Sequence, residues 1–294
     1  MKQDLLNQAK NRIYEKKMIA KNEFEKIMQP LYENEEFSKC EKKLTQIVIE
    51  NAKKESENKL SDKKTENELR QKLKDIKSKF GVTQDKPNYS CKKCEDEGFV
   101  NGQICECLKR EMSHILLEAS GFDNLVSFQE ATKTAGELLP IFQKMQQWCN
   151  AKSTKNLIYI AGPTGVGKTY LLKSMANEFI EHGKVVKIIT AFKMNQDFKD
   201  FSKTHNEDNL NKYLTPEILF VDDLGTEPLY KNVTIEFLYL VVNERKMKNL
   251  PTIITSNLML NDIFDRYDER IYSRIVDKNS SIAIFMNGND RRVK

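Results

Sequence analysis

Apolar residues recur at helical spacing through the first 80 residues of the chain. Two series share this spacing: Leu5, Leu6, Ala9 and Ile13, followed by Phe24, Ile27, Met28 and Leu31. Because the stretch contains no glycine and a single proline, the pattern predicts two or three amphipathic helices. Residues 53–79 are more polar and are expected to form a solvated helix or a tether, since little apolar surface offsets the entropy lost on ordering.

The periodicity changes after Asn156, where short β-branched runs alternate with segments of helical length. The runs are NLIYIA, KVVKIIT, EILFVDD, PTIITSN and SIAIFM. Helices are predicted between them, one ending at Gly183 and others near 191–203, 232–249 and 260–279. Strands separated by helices indicate right-handed crossovers and a mainly parallel sheet covered on both faces, so the predicted fold class is α/β. Ligands of such sheets bind beyond the carboxyl ends of the strands.

The segment GPTGVGKTY follows the first predicted strand and precedes a helix, as the phosphate-binding motif G-x-x-x-x-G-K-[ST] requires. Lys168 is expected to reach the β- and γ-phosphates, and the Thr169 hydroxyl is expected to hold Mg²⁺. We therefore predict ATP and Mg²⁺ as cofactors. The predicted nucleotide-binding residues of this segment are Gly162, Pro163, Thr164, Gly165, Val166, Gly167, Lys168, Thr169 and Tyr170.

Two further predicted strands end in polar residues that suit the same chemistry. EILFVDDLG contains Asp222, expected near Mg²⁺, and Asp223, expected to orient an attacking water. PTIITSN ends in Asn257, whose amide can hydrogen-bond both a water and a γ-phosphate. The alternatives are an aspartate pair that caps a loop and an asparagine that forms a turn.

Arginines near the end of the chain are candidates for stabilising the transferred phosphate. ERIYSRI places Arg270 and Arg274 four residues apart on one helical face, and Arg291 and Arg292 follow the last predicted strand. Such arginines contact a γ-phosphate within the subunit or from a neighbouring one. The alternative for each of them is an ordinary surface ion pair.

Four cysteines lie close together ahead of the phosphate-binding motif. They are Cys91, Cys94, Cys105 and Cys107, with glycines between the two pairs where a turn is expected. Thiolates at this spacing favour a structural, tetrahedral Zn²⁺ site. Since the second pair is tighter than C-x-x-C, three cysteines with His114 are an alternative, as are reduced thiols and a redox pair.

Length and composition allow one large domain with smaller modules, since the chain has 294 residues and 39% of them are apolar. The longest uninterrupted apolar run, residues 237–242, is far below the roughly 18 residues needed to cross a bilayer, so we expect a cytoplasmic protein without membrane contact. The net charge of +5 arises in residues 1–80, which hold 20 Lys and Arg against 15 Asp and Glu. That arm suits phosphates, an acidic protein face, or simply solvent.

Residues 190–205, TAFKMNQDFKDFSKTH, interleave phenylalanines with lysines. Bases stack on aromatic rings while lysines meet phosphates, so contact with single-stranded DNA is one interpretation. Phe198 and Phe201 also have the helical spacing of residues that face a core, and this spacing favours ordinary packing.

The order GPTGVGKT, FVDDLG, TIITSN, ERIYSRI and NDRR resembles the AAA+ ATPases of the initiator group, in detail the bacterial replicative helicase loaders of the DnaI/DnaC type. The resemblance covers roughly residues 121–294, and the cysteine segment is also in keeping with it. It implies that the strand leading to Asn257 lies between those associated with Lys168 and Asp222. It further implies that Asn257 is the first sensor of the γ-phosphate. The arginine roles it implies are a finger helix serving a neighbouring subunit, with Arg270 and Arg274, and a second sensor at Arg291 or Arg292.

Two departures from the family pattern qualify these implications. Asp222-Asp223 stands where the family usually has Asp-Glu. The side chain of Asp223 is shorter than that of glutamate, which implies slow ATP hydrolysis. The chain ends soon after Phe285, so the usual helical lid is expected to be missing and self-assembly to be weak without a partner.

The function implied by the resemblance is an ATPase that delivers a DnaB-type hexameric helicase onto single-stranded DNA during replication initiation or restart, with other primosome proteins as further partners. Residues 1–80 are then a helicase-binding helical region and residues 81–115 a zinc-binding module. Residues 116–150 form a linker and entry helix, and residues 151–294 form the ATPase domain. The alternatives are an IstB-like transposition helper, a P-loop kinase, and a zinc-stabilised adapter that binds nucleotide without turnover.

Overall fold

The computed structural model describes residues 2–56, 61–119, 121–122, 124–151, 153–288 and 290. The chain forms two compact units, one of residues 13–97 and the other of residues 1–12 with 98–294. Among the helices in the described ranges, none combines the length and the apolar character needed to cross a membrane.

The N-terminal region is helical, as its spacing predicted. The helices are α1 (Lys2–Tyr32), α2 (Glu35–Ser56) and α3 (Lys63–Lys79). Within residues 13–97 they bury a small core that includes Leu31, Phe37 and Ile76. The polar stretch is therefore a packed helix where it forms α3. The Asn51 side chain fixes the start of α3, because it accepts the Asp62 N–H at 2.8 Å and donates to the Asp62 carbonyl at 3.1 Å.

A short antiparallel hairpin lies between the two cysteine pairs, with strands β1 (Phe99–Val100) and β2 (Gln103–Ile104). Its turn residues, Asn101 and Gly102, both have left-handed backbones, with φ of 50° and 76°. Asparagine followed by glycine adopts this geometry readily, so the turn expected between the cysteine pairs is confirmed.

Residues 98–294 are built around a five-stranded parallel sheet, and the predicted α/β fold class is confirmed. Its strands are β3 (Leu157–Ala161), β4 (Val186–Thr190), β5 (Ile218–Leu224), β6 (Thr252–Ser256) and β7 (Ser281–Phe285). Their order across the sheet is β4-β5-β6-β3-β7. The strand that leads to Asn257 thus lies between the strand that leads to Lys168 and the strand that contains Asp222, as the resemblance implied.

Helices cover both faces of this sheet. They are α4 (Glu106–Glu118), α5 (Phe128–Thr134), α6 (Leu139–Asn150), α7 (Lys168–Glu181), α8 (Ala191–Thr204), α9 (Asp208–Leu214), α10 (Thr234–Met247), α11 (Leu260–Arg266) and α12 (Glu269–Val276). On β3, Ile158 and Ile160 pack into a core with α4 to α7. Tyr159 and Ala161 pack into a second core with α8 to α12. Successive residues of a strand face opposite sides, so the β-branched runs are buried on both faces.

The helix predicted near 260–279 is divided into α11 and α12, so the prediction of one continuous helix was wrong. Asp268 separates the two helices. Its backbone is extended, and its carboxylate accepts the Ile271 N–H at 3.0 Å as the N-cap of α12. An acceptor at this position satisfies an N–H group that would otherwise lack a partner, which favours the start of a new helix.

Lys187 is a buried cation on β4, with 6% of its surface exposed and its Nζ 5.8 Å from the centre of the Tyr213 ring. Burial, with nearby Lys212 as the second cause, lowers the pKa of Lys187 from 10.5 to about 8. Between these pH values the unfolded chain binds more protons than the folded chain, so stability rises with pH. Below pH 8 the buried charge costs the fold up to about 3 kcal/mol.

We expect Lys187→Met to raise the free energy of unfolding by about 1–3 kcal/mol at pH 7, because methionine keeps the length of the side chain without its charge. The gain should fall below about 1 kcal/mol at pH 10, where Lys187 is neutral in the folded parent while the unfolded lysine is still partly protonated. Urea unfolding at both pH values measures this gain, with the exposed Lys203→Met as the control. An equal gain at both pH values would contradict the buried-charge explanation.

Candidate functional site

The phosphate-binding motif connects β3 to α7, so it lies between a strand and a helix as predicted. Two of its glycines are required by geometry. A methyl group on Gly162 would lie 2.3 Å from the backbone oxygen of Met286, and Gly165 has a left-handed φ of 79°. The loop presents the N-terminus of α7, whose N–H groups and dipole favour phosphate oxygens.

Lys168 begins α7 and is 6% exposed. Its Nζ donates hydrogen bonds to the carbonyl oxygens of Gly162 and Pro163, at 2.8 and 2.9 Å. The ammonium group is therefore held over the loop itself. From this position a lysine reaches the phosphates of a nucleotide bound in the loop.

The side chains of Thr169 and Asp222 meet across the sheet edge. The Thr169 hydroxyl lies 3.1 and 3.0 Å from the two carboxylate oxygens of Asp222. Hydroxyl and carboxylate oxygens suit Mg²⁺, so this pair could hold the ion. Asp222 is 4% exposed, and burial raises its pKa above the usual carboxyl range, although hydrogen bonds from Thr255 and Thr169 act in the opposite direction.

Asp223 differs from Asp222 in its surroundings. It is exposed, and its backbone is left-handed with a φ of 56°. One carboxylate of the pair is therefore buried beside Thr169 while the other faces solvent. An exposed carboxylate next to the oxygens of Thr169 and Asp222 can orient a water molecule by accepting a hydrogen bond from it.

Asn257 directly follows β6 and is exposed. Ser256 pairs in register with Ala161 at the end of β3, and the Gly162 N–H donates to the Ser256 carbonyl at 3.2 Å. The asparagine therefore emerges beside the phosphate-binding loop. The structure brings five predicted residues to one edge of the sheet: Lys168, Thr169, Asp222, Asp223 and Asn257.

Both arginines of α12 are held against α10. Arg270 donates to Glu236 and to Asp268, each at 2.9 Å, and its side chain is 51% exposed. Arg274 donates to the Tyr239 hydroxyl at 3.2 Å. These contacts account for where the guanidinium groups lie within one chain, and a contact with a neighbouring subunit stays a prediction.

The remaining predicted nucleotide contacts differ in exposure. Pro163 and Thr164 are exposed, whereas Val166 is buried in the core. The Tyr170 ring lies 6.3 Å from the ring of Phe142 on α6, so it also contributes to packing. Arg291 and Arg292 lie outside the described residues.

Asp290 is part of the site although sequence reasoning did not select it. A methyl group on Gly165 would lie 2.0 Å from Asp290 Oδ1, so the carboxylate rests directly against the phosphate-binding loop. Asp290 belongs to NDRR, where the arginines carried the expectation of phosphate contact. A carboxylate at this position repels a phosphate that enters the loop.

The four predicted metal ligands come together. The sulfur atoms of Cys91, Cys94, Cys105 and Cys107 all lie within 4.8 Å of one another. Four thiolates about 2.3 Å from a tetrahedral metal ion need a comparable separation, so the group could bind a metal ion. His114 is not in this group and is exposed on α4.

Asp96, which is 2% exposed, shapes the first half of this cluster. Its carboxylate accepts the N–H groups of Ser90 and Cys91, each at 2.8 Å. A buried carboxylate that accepts two backbone N–H groups fixes the turn on which the first cysteine lies. Sequence reasoning missed this residue, because nothing in the spacing separates it from the other acidic residues nearby.

The phenylalanines of residues 190–205 pack mainly as core residues. Phe198 is 2% exposed, and Phe201 stacks edge-on against Phe237 with ring centres 5.1 Å apart. Phe192 is 47% exposed. The packing interpretation therefore holds for Phe198 and Phe201, and these two rings are not platforms for bases.

Comparison with known proteins adds a family and several relatives. A model of the IstB-like ATP binding proteins matches residues 134–291. Phage-like element PBSX protein XkdC of Bacillus subtilis (strain 168) is 26% identical over 233 residues, covering 69% of this chain and 85% of XkdC. Replicative helicase loader DnaI of the same organism is 28% identical over 135 residues, covering 45% of this chain and 43% of DnaI. A crystal structure of DnaI is similar with a TM-score of 0.44 at 26% identity, covering 52% of this chain and 84% of that chain.

We expect Asp290→Asn to tighten ATP binding about fivefold, because it removes about 1 kcal/mol of repulsion between the carboxylate and a phosphate. Titration with a fluorescent ATP analogue measures the dissociation constant. Asp290→Glu keeps the charge and should bind as the parent does. Unchanged or weaker binding by Asp290→Asn would show that the carboxylate does not oppose the nucleotide.

Proposed function

Since the chain belongs to the family of IstB-like ATP binding proteins, we propose that it is an ATPase that loads a hexameric helicase of the DnaB type onto single-stranded DNA. The observation that carries the ATPase part is the meeting of Thr169 and Asp222 at 3.0 Å beside Lys168. The loader part is supported by the relative DnaI, which bears the name replicative helicase loader.

In the proposed reaction, Lys168 binds the β- and γ-phosphates. Thr169 and Asp222 would hold Mg²⁺, and the ion would neutralise phosphate charge. Asp223 orients the attacking water and Asn257 hydrogen-bonds the γ-phosphate. Since the Asp223 side chain is shorter than that of glutamate, we propose slow ATP hydrolysis that suits a timed switch.

Arg270 and Arg274 are proposed to act on the nucleotide of a neighbouring subunit. Arg270 is half exposed, is paired with the carboxylates of Glu236 and Asp268, and lies 5.1 Å from the centre of the Tyr239 ring. Exposed ion pairs are weak, so a neighbouring phosphate can compete for its guanidinium group. Self-assembly would then depend on the helicase, which arranges several copies side by side. We also propose that Arg291 contacts a bound nucleotide as the second sensor, with Arg292 as the alternative.

We propose that residues 1–80 bind the helicase and that residues 81–115 form a module around Zn²⁺, ahead of the entry helix and the ATPase domain. The four cysteines support zinc over harder ions, because thiolates are soft ligands and four of them leave no open position for catalysis. A segment with so little apolar core gains stability by binding a metal ion.

A transposition helper is the second candidate, and the name of the matching family favours it. Such a protein would use the same nucleotide site but act on a transposase and its target DNA. The two candidates act on different proteins. A loader would stimulate loading of the helicase, whereas a transposition helper would stimulate strand transfer by the transposase.

Lys168→Ala should reduce helicase loading at least tenfold, because ATP would no longer be held for hydrolysis. Loading is measured as unwinding by the host's hexameric helicase on single-stranded DNA covered by its binding protein. Lys173→Ala, on the same helix, is the matched control and should load as the parent does. Full helicase loading by Lys168→Ala would show that loading does not depend on this nucleotide site.

Cys94→Ser should remove the metal ion and lower the melting temperature, because three thiolates hold Zn²⁺ less well than four. Inductively coupled plasma mass spectrometry should find about one zinc ion per chain in the parent and little zinc in the variant. Cys149→Ala is a suitable control, since Cys149 is also 7% exposed but lies in the core of the sheet unit. Zinc that persists in Cys94→Ser, or none in the parent, would refute the zinc assignment.

A further inference from the structure

We propose that Thr255 is a positioning residue that sets the geometry of both carboxylates of the nucleotide site, an inference that rests on the proposed ATP-binding function. The residue lies on β6 two positions before Asn257 and is fully buried, with 0% exposure. It is neither a phosphate contact nor a metal ligand in the proposed reaction.

The pairing of β5 with β6 is irregular next to Thr255. Val221 pairs with Ile254, and the next pair is Leu224 with Ser256. Two residues of β5, Asp222 and Asp223, therefore stand opposite the single residue Thr255. A bulge of this kind redirects side chains and leaves backbone groups without their usual strand partners.

The Thr255 hydroxyl takes the place of the missing strand partners. It accepts the backbone N–H of Asp223 at 2.9 Å and donates to Asp222 Oδ1 at 2.5 Å. The N–H group can only donate, so the single hydroxyl proton is directed to the carboxylate. One side chain thus fixes the buried oxygen of Asp222 and the backbone of Asp223 together.

This pair of hydrogen bonds explains why adjacent aspartates have different surroundings. Asp222 is fixed between two hydroxyls, since Thr169 approaches its carboxylate from α7 while Thr255 approaches it from β6. Asp223 has a left-handed backbone, which is uncommon for a residue other than glycine, and its side chain is exposed. The bond from its N–H to Thr255 holds it in that conformation.

The next residue strengthens the connection to Asn257. The Ser256 hydroxyl donates to the Leu224 carbonyl at 2.5 Å and accepts the Leu258 N–H at 3.0 Å. The Leu224 end of the bulge is therefore tied to Ser256, the residue directly before Asn257. A shift of Asn257 toward a γ-phosphate would move the groups that hold the two carboxylates.

The test replaces the hydroxyl of Thr255 in the full chain and measures Mg²⁺ dependence. Thr255→Val keeps the shape and Thr255→Ala reduces it, and neither can donate to Asp222. We expect both to need at least tenfold more Mg²⁺ for half-maximal binding of a fluorescent ATP analogue, as is typical when a partner of a metal ligand is lost. Their binding of the analogue in excess EDTA should match the parent. Thr255→Ser restores the hydroxyl and should return the Mg²⁺ titration to within about twofold of the parent.

Thr252→Val is the matched control for a purely structural effect. Thr252 lies on the same strand with 3% exposure, and its hydroxyl accepts Arg245 Nε at 2.9 Å. Its variant should lower the melting temperature and leave the Mg²⁺ titration unchanged. Thr255 variants that titrate as the parent does, or that fail to fold while Thr255→Ser folds, overturn the positioning role. The result does not depend on helicase loading, whereas a parent that binds no ATP would refute the proposed function itself.

Discussion

A buried carboxylate needs hydrogen-bond donors or a cation, and the candidate site depends on how Asp222 meets this requirement. The hydroxyls of Thr169 and Thr255 both donate to it, the first from α7 and the second from β6. Lys168 lies at the start of α7, and β6 leads directly to Asn257. The Asp222 carboxylate on β5 is therefore hydrogen-bonded to both α7 and β6. These hydrogen bonds fix the distances between the three segments that form the site.

The parallel sheet makes this meeting possible. Because β6 lies between β3 and β5, the ends of three adjacent strands reach one edge with their polar residues in neighbouring positions. Two separate apolar cores cover the faces of the sheet and bury its strands, which fixes the positions of the strand ends. The candidate chemistry is carried by side chains at these strand ends and at the start of α7.

The site also contains groups that respond to charge. Asp290 lies against the phosphate-binding loop, and Asp223 is exposed next to the buried Asp222. Entry of a nucleotide would change the balance of charge around both carboxylates. We propose that this change in charge is the physical basis of switching between nucleotide states. A ligand shifts a conformation only through contacts that differ between the states.

The sequence by itself determined the local features of the protein. The motif's glycines and lysine predicted the phosphate-binding loop, the cysteine spacing predicted the cysteine cluster, and the alternation of β-branched runs with helical segments predicted the parallel sheet. Backbone geometry and residue spacing act over short distances, so these features can be predicted locally. Only the tertiary structure decided which residues meet from distant positions. Thr255 contacts Asp222 through a bulge, and the Asp290 carboxylate lies against Gly165. These contacts depend on the register between strands and on the packing of the final turns, which no local spacing specifies.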